Sequence, residues 1–98
     1  MTTKQRASLR SMGAMLQPIL HIGKDGIGST LLKQAYDALE ARELIKVTVQ
    51  RNAPYTAWEA CEELCEKVHA EPVQVIGNRF VIYRESREHK KIDLDALL

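Results

Sequence analysis

The sequence lacks most of the features that would announce a function at once. No apolar run approaches the roughly 20 residues of a membrane-spanning helix, so a membrane protein is not expected. The opening Met-Thr-Thr-Lys-Gln-Arg leads into no apolar signal core, so export is not expected either. Two cysteines without an export signal exclude a disulfide scaffold and suit a reduced, cytoplasmic thiol pair. There is no internal repeat, linker or low-complexity stretch. No Gly-Lys-Ser/Thr stands at Walker spacing, and no dinucleotide fingerprint sits in a sheet-plus-acid context. No serine stands in a nucleophile elbow, and the three scattered histidines define no triad.

What is present bounds the answer further. The 98 residues fit one domain and exclude an enzyme with separate cofactor and substrate domains. An apolar fraction of 45% with a net charge of +1 excludes a disordered chain. That small net charge does not mark a nucleic-acid binder, but the distribution is uneven. Met1 to Lys24 carries Lys4, Arg6, Arg10 and Lys24 and no acid. Ala57 to Glu71 carries Glu59, Glu62, Glu63, Glu66 and Glu71 against Lys67 alone. Arg79 to Lys91 is basic again, through Arg79, Arg84, Arg87, Lys90 and Lys91 against Glu85 and Glu88. Basic ends around an acidic middle can aim one face at a polyanion; chance clustering on solvated surfaces gives the same pattern.

Periodicity gives the element order helix, strand, helix, strand, helix, strand, strand. Thr2 and Gln5 have capping-box spacing, and Leu9, Met12 and Leu16 follow at helical intervals. Gly13 weakens this helix without forbidding it. Pro18 ends the helix, and Pro18–Ile22 reads as a short strand. Ser29 is the expected N-cap of a helix reaching about Arg42, with Leu31, Leu32, Ala35, Leu39 and Tyr36 as its core stripe. Leu44–Gln50 alternates, with Ile45, Val47 and Val49 on a buried face and Lys46, Thr48 and Gln50 on the other, which could touch nucleic acid or simply be the wet face of the sheet. Arg51–Tyr55 is a loop. Thr56 caps a helix to about Ala70 with Cys61, Leu64, Cys65 and Val68 inside. Trp58 could stack on a base, but at the start of an amphipathic helix it reads rather as core or as a wedge between helix and sheet; Glu62 and Glu63 read as a solvated face. Pro72–Ile76 and Phe80–Tyr83 are joined at Gly77-Asn78, a two-residue hairpin signal. The tail from Glu85 is charged and expected to be loosely held as far as Ile92, Leu94, Leu97 and Leu98. Helices alternating with strands imply an α/β sheet covered by helices, mixed because the last two strands form a hairpin.

The stretch Gly23-Lys24-Asp25-Gly26 lies between a strand and a helix start. Glycines let a ligand backbone approach closely, the helix start supplies amide donors and partial positive charge, and Lys24 adds a full charge. That is what a phosphate-backbone clamp requires, and a Gly-x-x-Gly loop does this in KH domains. An ordinary tight turn has the same composition. Cys61, Cys65 and His69 fall four residues apart on one helix face, a spacing open to zinc with a fourth ligand from His21 or His89. Their alignment with Leu64 and Val68 favours core thiols over a metal site.

Three blocks carry a family resemblance over nearly the whole chain. Ile22-Gly-Lys-Asp-Gly26, Ala38-Leu-Glu-Ala-Arg-Glu-Leu-Ile-Lys-Val47, and Val73-Gln-Val-Ile-Gly77 followed by Val81-Ile-Tyr-Arg84 resemble, in order, the CRM domain (chloroplast RNA splicing and ribosome maturation) in its stand-alone bacterial, YhbY-type form. The resemblance implies a compact α/β domain of three helices and a four-stranded mixed sheet, similar to the C-terminal domain of bacterial translation initiation factor three. It implies an RNA-contacting loop at Gly23, Lys24, Asp25 and Gly26. It also implies association with ribosomal RNA in precursors of the large ribosomal subunit. Plant relatives act in intron splicing, but no organellar targeting segment is seen here. Departures lie mainly in Arg51–Tyr55 and in the tail.

The expectation is therefore one non-enzymatic RNA-binding domain over residues 1–98, with a core at about 2–84 and a tail at 85–98, acting as a cytoplasmic monomer in 50S assembly. No cofactor, metal, membrane or small-molecule substrate is expected. Lys4, Arg6 and Arg10 would extend a basic track from the loop, with Lys33 as a further contact. Asp25 would meet a ribose hydroxyl or fix the loop, and the acidic third helix would face away. Two alternatives stand beside this one. The first is a protein-interaction module using the apolar tail Ile92–Leu98. The second is a zinc or thiol site at Cys61, Cys65 and His69.

Overall fold

The computed structural model describes residues 1–88 and 90–96. Its elements are α1 (Thr3–Ala14), β1 (Pro18–Ile22), α2 (Ser29–Arg42), β2 (Leu44–Val49), α3 (Ala57–Val68), β3 (Glu71–Ile76) and β4 (Arg79–Tyr83), followed by a short 3-10 turn at Leu94–Ala96. The expected order holds throughout. No helix among the described residues is long and apolar enough to cross a membrane.

Local chemistry explains most helix ends. The Thr2 hydroxyl accepts the Gln5 amide at 3.1 Å, and the Gln5 side chain accepts the Thr2 amide at 2.8 Å, closing the capping box that starts α1. Thr56 and Glu59 do the same for α3, at 3.1 and 2.9 Å. α3 stops two residues before the expected Ala70, because His69 turns left-handed (φ +59°) as its C-cap. α2 departs from expectation at its start. Its N-cap is Gly28, which has no side chain to cap with, and Ser29 is the first helical residue.

The strands form one sheet in the order β1-β2-β4-β3. β1 runs parallel to β2, with α2 as the crossover; β4 is antiparallel to both of its neighbours. Gly77, at φ +57°, and Asn78 close the β3–β4 hairpin. The sheet has two faces with separate cores. On one, Leu20, Ile22, Ile45, Val47, Val49, Phe80 and Ile82 pack under Leu31, Ala35 and Leu39 of α2 and Ala60, Cys61 and Leu64 of α3. On the other, Leu44, Val73, Val81 and Tyr83 pack under Leu9 of α1 and Ile92 of the tail. β2 was expected to bury one face only. Leu44 is buried on the second face because α1 crosses there, and Lys46 and Thr48 are half-buried rather than fully wet.

Two helical positions differ from expectation. Tyr36 lies at the edge of the α2 stripe and is exposed, with the Arg84 guanidinium 4.2 Å from its ring centre. Trp58 is neither core nor wedge: it is 61% exposed at the start of α3. The tail differs most. Glu43, fully buried between α2 and β2, accepts the amides of Ser86 at 2.7 Å and Ile92 at 2.6 Å, and that of Lys91. Glu40 accepts the Arg87 amide at 2.9 Å and the Ser86 hydroxyl at 3.2 Å. The tail is thus clasped, and Ile92 is buried. The apolar docking tail expected at Ile92–Leu98 loses Ile92 to the core, and Leu97 and Leu98 lie outside the described residues.

Candidate nucleic-acid interface

The glycine loop sits where the parallel pair ends. Ile22 pairs with Val49, and the Gln50 amide donates to the Ile22 carbonyl at 2.8 Å. The Val49 amide in turn donates to the Asn78 carbonyl at 2.7 Å, so Gly23, Gln50 and the β-hairpin share one end of the sheet. The Gly26 amide closes the turn onto the Gly23 carbonyl at 3.0 Å. Gly26 has φ +68°, and a Cβ there would lie 3.1 Å from the Tyr55 ring and 3.4 Å from Pro54. Glycine is therefore required at this position on two counts, conformation and space.

Behind the turn, Tyr55 is itself held. Its hydroxyl donates to Glu63 at 3.1 Å, a bond that, with burial and the carboxylate charge, pushes the phenol up from its usual value. Glu63 also pairs with Lys67 at 3.2 Å. Part of the helix face read from sequence as solvated thus braces the wall of the glycine loop.

In front of the turn the surface is open. Lys24 and Asp25 are exposed at the tip. The first intrahelical bond of α2 is from the Leu32 amide to Gly28 at 3.0 Å, so the amides of Ser29, Thr30 and Leu31 precede it with no side-chain cap. They border a cavity of about 640 Å³ lined by Lys24, Asp25, Gly26, Thr30, Gln50 and Asn52, with His21 and Gln34 at its side. Amide donors, a helix dipole and an exposed ammonium group converge on one concavity, which is suited to an anion.

The remaining sequence candidates fall elsewhere. Lys33 is paired with Asp37 at 3.2 Å, one turn on. Arg6 donates to the Pro72 carbonyl and lies 4.0 Å from Glu71, at the start of β3. Glu71 aligns with Tyr83 and Leu44, so Arg6 is at the end of the sheet opposite the loop. Lys4 and Arg10 are exposed on α1 and make no ion pair among the described residues. The structure therefore gathers Gly23, Lys24, Asp25 and Gly26 into one site and ties Arg6 at the far end of the sheet from it.

The sequence gives no site role to Thr30, Gln34 or Asn52; it offers His21 only as a zinc ligand, and Gln50 only as part of a wet sheet row open to nucleic acid. Their convergence depends on the parallel β1–β2 pairing, which no local motif states. The only available signal was the period-two alternation that leaves His21 and Gln50 off the core face.

The metal candidate fares differently. Cys61 and Cys65 are buried, and Cys65 is pushed up by the neighbouring Cys61 sulfur and by burial, so it stays a thiol. His69 is the exposed helix cap, and among the described residues no group of three His, Cys, Asp or Glu could hold a metal. His89, a suggested fourth ligand, lies outside the described residues.

A four-stranded mixed sheet with helices on both faces, and a glycine turn feeding an uncapped helix, defines a small α/β domain with one anion-suited end. The model of the CRS1 / YhbY (CRM) domain matches residues 1–84, and the chain belongs to that family. It is 44% identical over 94 residues to the Bacillus subtilis protein named "Probable RNA-binding protein YqeI", covering 96% of this chain and 98% of that one. It is 32% identical over 90 residues to a Haemophilus influenzae protein named "RNA-binding protein", covering 92% and 91%. The solution structure of SAV1595 from Staphylococcus aureus superposes with a TM-score of 0.79 at 48% identity, covering 95% of this chain and 97% of that one.

Proposed function

We propose that this chain is a non-enzymatic RNA-binding protein that acts as a cytoplasmic monomer on ribosomal RNA during assembly of the large ribosomal subunit. The RNA backbone is held at Gly23–Gly26. The observation that carries this reading is the juxtaposition of the Gly23–Gly26 turn, the exposed Lys24 and the uncapped first amides of α2 around one open cavity. Each supplies what a phosphodiester needs: close approach, charge and directed N–H donors. RNA is the polyanion in the names of the relatives, and family membership supports carrying it to this chain.

Filter binding of the purified chain to large-subunit ribosomal RNA fragments tests the binding step. Sub-micromolar binding that weakens steeply with salt supports it; no binding at low salt removes it. Crosslinking in cells, with sequencing of the attached RNA, tests the assembly role. Enrichment of unprocessed large-subunit RNA is the expected result, and reads spread over unrelated messages would sink it.

A further inference from the structure

α1 covers only part of its face of the sheet. Leu9 packs with Leu44, Val73 and Tyr83, and Gly13 lies so close to Val81 that a Cβ would come within 2.9 Å of it. Towards the end that carries the glycine loop, no described helix lies over the strands. Two transverse rows of side chains remain there. One is Lys46–Val81–Gln74. The next is His21–Thr48–Arg79–Ile76, which runs across all four strands. Alternation sends these side chains away from α2 and α3, because Leu20, Val47 and Phe80 point inward beside them.

The chemistry of this surface is mixed in a particular way. Ile76 is 62% exposed, a large aliphatic group on an edge strand. Lys46, Gln74, Ile76 and Arg79 border a cleft of about 230 Å³ whose far wall is Gly13 and Ala14, and no carboxylate lines it. Neither Lys46 nor Arg79 makes a side-chain ion pair or hydrogen bond among the described residues. Thr48 Oγ1, in the middle of the row, is a buried side-chain oxygen without a hydrogen-bond partner. An apolar group, a planar cation, an imidazole and an amide in one plane suit flat heteroaromatic rings with polar edges. A bare phosphate array would need only the cations. His21 stands in the row at the β1 edge of the sheet and also borders the loop cavity beside Gln34 of α2.

We propose that this uncovered face is a base-contacting subsite for single-stranded RNA. It rests on the RNA reading above, and it extends the same strand from the glycine loop across the sheet. His21, Arg79 and Ile76 carry unstacked bases, while Lys46 and Gln74 meet base edges or an adjoining phosphate. Three strand spacings of about 4.8 Å make the row about 14 Å long. A four-stranded sheet in RNA-recognition motifs stacks about two or three bases in the same manner. A duplex hides its base faces and is a poor ligand for such a surface.

The test compares the full chain with an Ile76→Ser, Arg79→Lys double variant, which keeps the charge but removes the apolar surface and the planar cation. Both residues are exposed, and a thermal melt checks that the fold is kept. Each protein is titrated with an unstructured single-stranded RNA, with the same strand made abasic, and with a duplex of equal length. The expected result is a loss of about tenfold on the base-bearing single strand, with little change on the abasic strand and an unchanged salt slope. Equal losses on base-bearing and abasic strands, or no loss at all, would overturn the proposal. Lys24→Ala is measured alongside. If it weakens binding while the double variant does not, the loop reading stands and the sheet-face inference falls. If the parent chain binds none of the three ligands, both fall.

Discussion

The carboxylate of Glu43 accepts the backbone amide of Ile92 at 2.6 Å, across 49 positions of sequence and in a fully buried site. The same carboxylate takes the amides of Ser86 and Lys91, and the Glu43 carbonyl accepts the Arg84 amide at 2.9 Å. Glu43 also has φ +66° with ψ −39°, a sparsely populated conformation that costs a non-glycine residue about 1–3 kcal/mol. The tail is thereby held over the α1 face, with Ile92 as the buried plug.

Glu43→Gln should therefore destabilise the domain. The amide keeps the shape but loses one acceptor oxygen and the charge, so at least one amide of the clasp is left unsatisfied. A loss of about 1–3 kcal/mol is expected, read as a lower urea midpoint. An unchanged midpoint would show that the clasp contributes nothing.

The same residue sets an acid dependence. Burial alone would raise the Glu43 carboxyl, but the Ser86, Lys91 and Ile92 amides outweigh it and hold the group below its usual 4.5. The folded state thus binds this proton less readily than the unfolded chain. The clasp's contribution is complete above about pH 4.5 and is lost as pH falls through the lower folded value. Urea midpoints from pH 7 to pH 3 should fall more for the parent than for Glu43→Gln, with the difference confined to the acid end.

At Gly13 the sequence and the structure give opposite signs. Helix propensity alone makes Gly→Ala stabilising by about 1 kcal/mol. The new methyl would meet Val81 Cγ1 at 2.9 Å and Cγ2 at 3.1 Å, inside the core between α1 and β4. Overpacking of that kind costs about 1–3 kcal/mol, so Gly13→Ala should lower the melting temperature. A rise would mean that α1 can lift off the sheet freely.

Lys24→Ala should weaken RNA binding across sequences and make its salt dependence shallower by about one unit or less, the signature of one lost phosphate contact. Affinity and slope matching the parent in filter binding would remove Lys24 from the site.

Glu62→Gln with Glu66→Gln should leave RNA affinity at least as strong as in the parent. Both side chains are exposed on α3, which packs on the sheet face opposite α1. A clear loss would place RNA against the acidic helix and contradict the proposed surface. Glu63 is left out because it holds Tyr55 behind the loop.

Local order was legible in the sequence because local chemistry decides it. Thr2 with Gln5 and Thr56 with Glu59 carry their capping partners three residues away. Ile45, Val47 and Val49 declare a core face by alternation alone, and Gly77-Asn78 declares a hairpin. The glycine loop was legible as a strand-to-helix turn for the same reason. What covers each face was not legible. Leu44 and Glu43 carry no sequence signal of their roles, and Ile92 reads as part of an apolar docking tail, until α1 and the tail meet on the second face.

The chain by itself determined its elements, its turn chemistry and the concentration of cations away from α3, since each follows from neighbours within a few residues. Tertiary structure alone decided that Arg6 is tied to Pro72 and Glu71, that Gln50 and Asn52 stand beside Gly23, and that His21, Thr48, Arg79 and Ile76 form one row. Those relationships arise from strand order and register, and long-range pairing leaves no periodic trace along the chain.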